Sequence, residues 1–303
     1  TEACNSILFS TVFSAWKGCE KPCHVLISPL EHSAVRETVA FLQKSGFCEA
    51  EELAVNRFGQ VDPDDVRKKI KPNTAIASVI YGNNEIGTIN PIAEISQVCA
   101  EKGVPFHSDT TQYAAHHQLD LQHTNTSYLN IAAHKCYGPK GVGALIVQKD
   151  EAKPFIPLIH GGKQEDGKRA GTHNVPNIVG LSAAYSLLNR DGVQRIDKEK
   201  ADRDLLIQMV LNLIPDSILT GHPEQRLSNH ASFSFKNIDS LLLQSVMDQK
   251  GFAVSVGSAC RSKQIRGQQQ LVAIGLDPTW SNGGLRITVG HYTTQTAIQN
   301  LVR

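Results

Sequence analysis

Between residues 24 and 147, short apolar runs and amphipathic stretches take turns, and this alternation constrains the fold more than any other feature. Residues 24–27, 74–81 and 104–107 read as strands, and residues 33–42, 64–70 and 91–102 carry the longer period of helices. Asp62-Pro63 supplies an N-cap followed by proline at the first helical position. A strand that is followed by a helix cannot return as a hairpin, so successive strands run parallel and the helices cover the sheet. Two further apolar runs, 128–133 and 142–147, flank Ala133-His-Lys-Cys-Tyr-Gly-Pro-Lys-Gly141 and read as buried strands. The expected class is α/β, with a mainly parallel sheet and helices on both faces. Ligands in such sheets sit at the carboxyl ends of the strands.

Residues 174–213 read as mainly helical, with a break at Asn189-Arg-Asp-Gly192. Beyond Pro215 the pattern changes to short strands (217–219, 231–235, 252–255) and helices (239–250, 293 onward). A large domain over residues 1–190 and a smaller C-terminal α+β domain over 191–303 follow from that change. A chain of 303 residues can bury a large core. Its net charge of +1 gives no overall attraction to nucleic acid or membrane, and no apolar run is long enough to span a bilayer. The seven cysteines are odd in number and irregular in spacing, which points to a reducing compartment, the cytoplasm. Cys19, Cys23 and His24 lack the second half of a zinc motif, so no metal is expected. Thr1-Glu2-Ala3 opens directly on a helical pattern, with no preceding strand, and reads as the interior of a longer chain.

Several residues are placed to carry chemistry. Lys135 leaves a strand just before a Gly-Pro-Lys-Gly turn. A desolvated lysine there is a nucleophile suited to holding an aldehyde cofactor as a Schiff base, although a surface lysine at a strand end looks the same. Asp109, after the strand at 104–107, either pairs with a protonated pyridine nitrogen or caps a helix, and Gln112 can donate a hydrogen bond to the ring oxygen of such a cofactor. His32, in Glu31-His-Ser33, can stack on a flat ring or be an ordinary surface histidine. Gly82-Asn-Asn-Glu-Ile-Gly87 either binds a carboxylate or is a plain turn. The glycine-rich stretch 161–174 fits anion contact, a subunit boundary or a flexible loop. Cys260 stands among small residues beside Arg261 and Lys263, cations that favour the thiolate.

Taken in order, these motifs resemble the class V branch of the fold-type I pyridoxal-phosphate enzymes, most closely cysteine desulfurases of the nitrogen-fixation and iron–sulfur-assembly type. The resemblance runs through Thr1-Glu-Ala3, His32, Asn83-Asn-Glu-Ile-Gly87, Asp109 and Gln112, His134-Lys135, Arg169-Ala-Gly-Thr172, Gly257-Ser-Ala-Cys260 and Leu285-Arg-Ile-Thr-Val-Gly290. It implies that Lys135 is the Schiff-base lysine and proton shuttle, that His32 stacks on the ring, and that Asp109 and Gln112 serve its nitrogen and oxygen. Thr1, His134 and Thr172 of the partner subunit are the implied phosphate contacts in a homodimer. Asn84 and Arg286 are the implied binders of the substrate carboxylate, and Cys260 the sulfur acceptor. The implied reaction converts L-cysteine to L-alanine and leaves a persulfide on Cys260 for a sulfur-acceptor protein, with no membrane and no direct nucleic-acid contact. Three departures stand out: the family's N-terminal segment is missing, Ala132 replaces a serine that touches the phosphate, and the Arg169–Asn174 stretch is altered. Loss of the serine removes a hydrogen bond worth roughly 1.5–3 kcal/mol when the acceptor is charged. A selenocysteine lyase, another class V lyase or transaminase, and a non-catalytic scaffold of the same fold are the rival readings. Selenide release, keto-acid dependence and absence of a yellow cofactor would mark them respectively.

Overall fold

The computed structural model describes residues 1–16, 22–122, 124–148, 155–257 and 268–303. They form two units. The first comprises residues 1–54, 61–81 and 90–189, and the second residues 55–60, 82–89 and 190–303.

The first unit begins with α1 (Glu2–Trp16), β1 (Cys23–Ile27), α2 (Ser33–Lys44) and β2 (Cys48–Glu52). It continues with α3 (Pro63–Lys69), β3 (Thr74–Ser78), α4 (Ile92–Glu101), β4 (Phe106–Asp109) and α5 (Tyr113–His116). Then come β5 (Tyr128–Ala132), β6 (Gly143–Val147) and the start of α6 (Val175–Leu213). The sheet order is β2-β1-β3-β4-β5-β6. The pairs among β2, β1, β3, β4 and β5 are parallel, and β6 is antiparallel to β5. Every residue of β1 is buried, as expected of a strand covered on both faces. In α2, Val35, Val39 and Leu42 recur at helical spacing and pack with Ile7, Leu8 and Val12 of α1 against Val25 and Ile27 of β1. Asp62 caps α3 as expected, its side chain accepting from the Asp64 N–H at 2.9 Å.

One strand was not foreseen, and three expectations need correction. The sequence places Cys48, after Gly46-Phe47, in a loop, yet it opens strand β2; Cys-Glu-Ala-Glu-Glu lacks an apolar pattern because β2 is an edge strand with largely solvated side chains. The run 142–147 forms β6, but it is half-exposed, because it is the other edge of the sheet. Helix α6 runs unbroken through Asn189-Arg-Asp-Gly192 for 39 residues. A single interior glycine costs only about 1 kcal/mol against alanine, and no proline interrupts the ladder. Residues 252–255 make no strand, and Ser255 alone bridges to Arg286.

In the second unit the remainder of α6 is followed by β7 (Ser217–Leu219), β8 (His230–Phe235), α7 (Ser240–Gln249), α8 (Gln269–Ala273), α9 (Pro278–Ser281), β9 (Gly284–Thr288) and α10 (Gln295–Val302). Its sheet is antiparallel in the order β7-β8-β9. Leu206 and Val210 of α6, Phe233 of β8, Leu285 of β9 and Ile298 of α10 form its core. The turn at 82–89 belongs to this unit. Thr88 bridges to Arg226, and the Leu227 N–H donates to Gly87 O at 2.9 Å. Among the described residues no helix is long and apolar enough to cross a membrane.

Candidate active site

Within the first unit, three of the expected site residues lie at the carboxyl edge of the parallel sheet. Asp109 is the last residue of β4, Lys135 follows the end of β5 by three residues, and His32 follows β1 and caps α2. Strands β4 and β5 are neighbours, and Asp109 is in register with Asn130. The Asn130 Nδ2 donates to Asp109 Oδ1 at 2.8 Å, and the Thr111 N–H donates to the same oxygen at 3.0 Å. The carboxylate is thereby oriented, and its other oxygen, Oδ2, has the Cys4 thiol at 4.0 Å. Asn130 is itself held. His107 Nε2 donates to its Oδ1 at 2.9 Å, and Ser78 donates to His107 Nδ1 at 2.8 Å. Burial lowers the pKa of His107, so its ring stays neutral and the direction of this chain is fixed. Asn130 was overlooked in the sequence. A polar residue inside an apolar run is its only signal, and its use depends on cross-strand register.

Lys135 ends a short 3₁₀ turn, Ala133–Lys135. The Ala133 carbonyl accepts from the Cys136 N–H at 3.0 Å, the Gly138 N–H at 2.9 Å and the Cys136 thiol at 3.3 Å. Tyr137 has φ 67°, an uncommon conformation for a bulky residue, two positions after the lysine. A Cβ at Gly138 would come within 2.8 Å of Ala133 Cβ, so only glycine lets this turn close. The backbone that aims Lys135 is thus tightly determined.

His32 is exposed, and its Nδ1 accepts from the Ala34 N–H at 3.1 Å, which anchors the ring by one edge. Beside it Glu31 is buried, with Oε2 lacking a hydrogen-bond partner among the described residues. Burial, and next the negative charge of Asp109, push its pKa well above the ordinary 4.5. Gln112 is the N-cap residue of α5, without a capping side-chain bond. His134 is exposed. Partial desolvation first, then Lys135 and Lys140, lower its pKa. Thr1 stands before the first turn of α1, where unpaired N–H groups favour an anion. Thr172 is exposed in the loop whose Arg169 grips Glu2 with Nε at 2.8 Å and Nη2 at 3.3 Å. The donor set suits a phosphorylated pyridine aldehyde: an oriented carboxylate for the ring nitrogen, an amine on a fixed turn, and an imidazole held by one edge.

The second unit holds Asn84 and Arg286. Asn83 Oδ1 accepts from the Glu85 and Ile86 N–H groups, both at 2.8 Å, and Gly87 takes φ 80°, so residues 82–89 are a constructed turn. Arg226 is almost fully buried, and it donates to Ile86 O at 3.3 Å and to His230 O at 3.0 Å. The Arg286 Nη1 donates to Asn84 O at 2.7 Å, which joins the two expected carboxylate binders. Asn84 Oδ1 is buried and has no hydrogen-bond partner among the described residues. Cys260 lies outside the described residues. Cys4, Cys23, Cys48, Cys99 and Cys136 are buried and unbridged. Burial, then the Cys23 charge, push the Cys48 thiol up to about 12, and burial alone does the same at Cys99.

The aminotransferase class-V family matches residues 1–301. The cysteine desulfurase IscS of Dictyoglomus turgidum is 40% identical over 272 residues, which make up 90% of this chain and 68% of that protein. The cysteine desulfurase IscS of Methanosarcina thermophila is 37% identical over 288 residues, 95% of this chain and 70% of that protein. Among solved structures, a NifS-like protein is similar with a TM-score of 0.89 at 30% identity, covering 99% of this chain and 78% of its own. SspA in complex with cysteine is similar with a TM-score of 0.78 at 29% identity, covering 97% and 81%. The family match takes in the sheet edge that carries His32, Asp109 and Lys135 together with the second unit, and this chain belongs to the class-V aminotransferase family of pyridoxal-phosphate enzymes.

Proposed function

We propose that this protein is a pyridoxal-phosphate-dependent cysteine desulfurase. The reading is supported most by one arrangement: Asp109, oriented by Asn130, ends the strand next to the one that leads into Lys135. When bound, the cofactor supplies an electron sink for the negative charge that develops at the α-carbon of an amino acid. Asp109 would hold a proton at the pyridine nitrogen through Oδ2, whose contact in the chain is the weakly donating Cys4 thiol, and so would keep that sink cationic. His32 would cover one face of the ring, Gln112 would donate to its oxygen, and Thr1, His134 and Thr172 of the partner subunit would hold the phosphate. The Lys135 amine would hold the cofactor's aldehyde carbon and would serve as the base that takes the α-proton of the amino acid and later returns it. Asn84 and Arg286 hold the carboxylate, for which a planar guanidinium is well shaped.

These steps are common to the family, and Cys260 makes the outcome specific. Its thiolate, favoured by Arg261 and Lys263, attacks the sulfur of cysteine while the Cβ–S bond breaks. L-cysteine and the Cys260 thiol become L-alanine and a Cys260 persulfide. The terminal sulfur then passes to a thiol of an acceptor protein. The relatives named cysteine desulfurase IscS, and the structure of SspA in complex with cysteine, support this substrate. We place the protein in the cytoplasm as a homodimer. Five buried, unbridged cysteines suit a reducing compartment.

The test is direct. The purified protein with pyridoxal phosphate is incubated with L-cysteine, and the Cys260 peptide is weighed. One added sulfur atom and stoichiometric alanine are expected. Cys260→Ser should keep the yellow absorbance and yield no persulfide. Sulfur on Cys136, or normal alanine production by Cys260→Ser, would overturn the assignment.

A further inference from the structure

Ser255 carries a contact that the reaction described above does not use. It forms an isolated antiparallel pair with Arg286 on the edge of β9 that faces away from β8. Both backbone bonds are made: the Ser255 N–H donates to Arg286 O at 3.0 Å, and the Arg286 N–H donates to Ser255 O at 2.6 Å. Residues paired in this way project their side chains to the same face. Accordingly, the Arg286 Nη2 donates to Ser255 Oγ at 2.9 Å. The hydroxyl proton is directed elsewhere, toward Val256 O at 3.2 Å, so the oxygen is free to accept. The other terminal nitrogen, Nη1, is held by Asn84 O. Burial lowers the pKa of Arg286, and Glu85 opposes that shift. A half-buried guanidinium is thus fixed at both ends by neutral oxygens.

We propose that Ser255 is a positioning residue for the substrate carboxylate, acting through Arg286. Resting on the role given to Arg286 above, it names the group that orients the guanidinium before the amino acid arrives. A free arginine side chain must lose several rotamers to grip a carboxylate, and a guanidinium held in advance loses fewer. The backbone pair needs no particular side chain, so removing the hydroxyl leaves the bridge to β9 in place.

The experiment is an absorbance titration of the cofactor-loaded protein with L-alanine and with L-alaninamide, which differ in the carboxylate charge. The unaltered protein should bind L-alanine at least about tenfold more tightly. Ser255→Ala should weaken L-alanine by about five- to tenfold and change L-alaninamide by less than twofold. Ser255→Thr, which restores a hydroxyl on an extended residue, should recover L-alanine binding to within twofold. If the unaltered protein fails to distinguish the two ligands, the carboxylate role of Arg286 falls, and this inference with it. If it distinguishes them and Ser255→Ala does so equally well, the role of Ser255 alone is overturned. Equal weakening of both ligands would show general loosening and would also overturn it.

Discussion

Lys135 is the residue whose loss should cost the most. Lys135→Ala removes the amine but leaves Asp109, Asn130 and the turn intact, so cofactor should still bind while sulfide release falls by about 10²–10⁴-fold or more. Borohydride reduction and peptide mapping should label Lys135, and a label on Lys140 or Lys163 would contradict the assignment. Glu31 calls for a different measurement. Its carboxyl has a raised pKa in the folded chain and an ordinary one near 4.5 when unfolded. The unfolded chain therefore loses this proton first as pH rises. Stability from the protonated group is complete below pH 4.5 and declines as pH rises toward the folded pKa. Glu31→Gln has no proton to lose, so its advantage in Tm over the unaltered protein should grow from pH 4.5 to pH 8. Each pKa unit corresponds to about 1.4 kcal/mol. A constant difference across that range would mean that Glu31 is not buried protonated. The positions of Lys135, Asp109 and His32 beyond or at strand ends were legible in the sequence because each follows an apolar run. The contacts of Asn130 and Ser255 were not, because they are decided by the residue opposite on another strand.

At the scale of elements, the helices that were easiest to read are those with a cap. Asp239 accepts from the Leu241 N–H at 2.8 Å and the Leu242 N–H at 3.2 Å at the start of α7. Asp239→Ala should lower stability by about 1 kcal/mol, seen as a shift in urea midpoint with unchanged slope. A change below the error of such a titration would mean that solvent caps the helix equally well. Strands were legible where apolar residues predominate, in the covered β1 and β3 and also in the half-exposed edge strand β6. β2, at the other edge, hides its role in Cys-Glu-Ala-Glu-Glu because charged side chains occupy three of its five positions. The run at 252–255 failed as a strand for a related reason: apolar residues specify burial, and pairing needs a neighbour that extends alongside. Only Ser255 has one.

At the scale of the molecule, the first unit leaves a set of large apolar side chains in solvent. Val175 and Val179, one turn apart at the start of α6, are 59% and 61% exposed, and Tyr137 beside the lysine turn is 57% exposed. Exposed apolar groups of this size mark an association surface. A homodimer that places Thr172 of the partner subunit at the phosphate gives them a use. Light scattering should report twice the mass of 33.1 kDa, and Val179→Asp should shift the distribution toward the monomer with loss of yellow cofactor. A monomer that turns over cysteine would contradict this arrangement.

The turn around Asn84 also has a place in time. All the strand pairs of the six-stranded sheet lie within residues 23–147, so that sheet can form as soon as they leave the ribosome. Ile86 must wait for Arg226, 140 residues later, and Asn84 for Arg286, 202 residues later. At the ~5–20 residues per second of synthesis, the second interval lasts about 10–40 s. During that interval the nascent chain carries a finished sheet edge with Lys135, while the proposed carboxylate binders Asn84 and Arg286 have not yet met. If they hold the substrate as proposed, amino-acid recognition matures after the edge that carries Lys135.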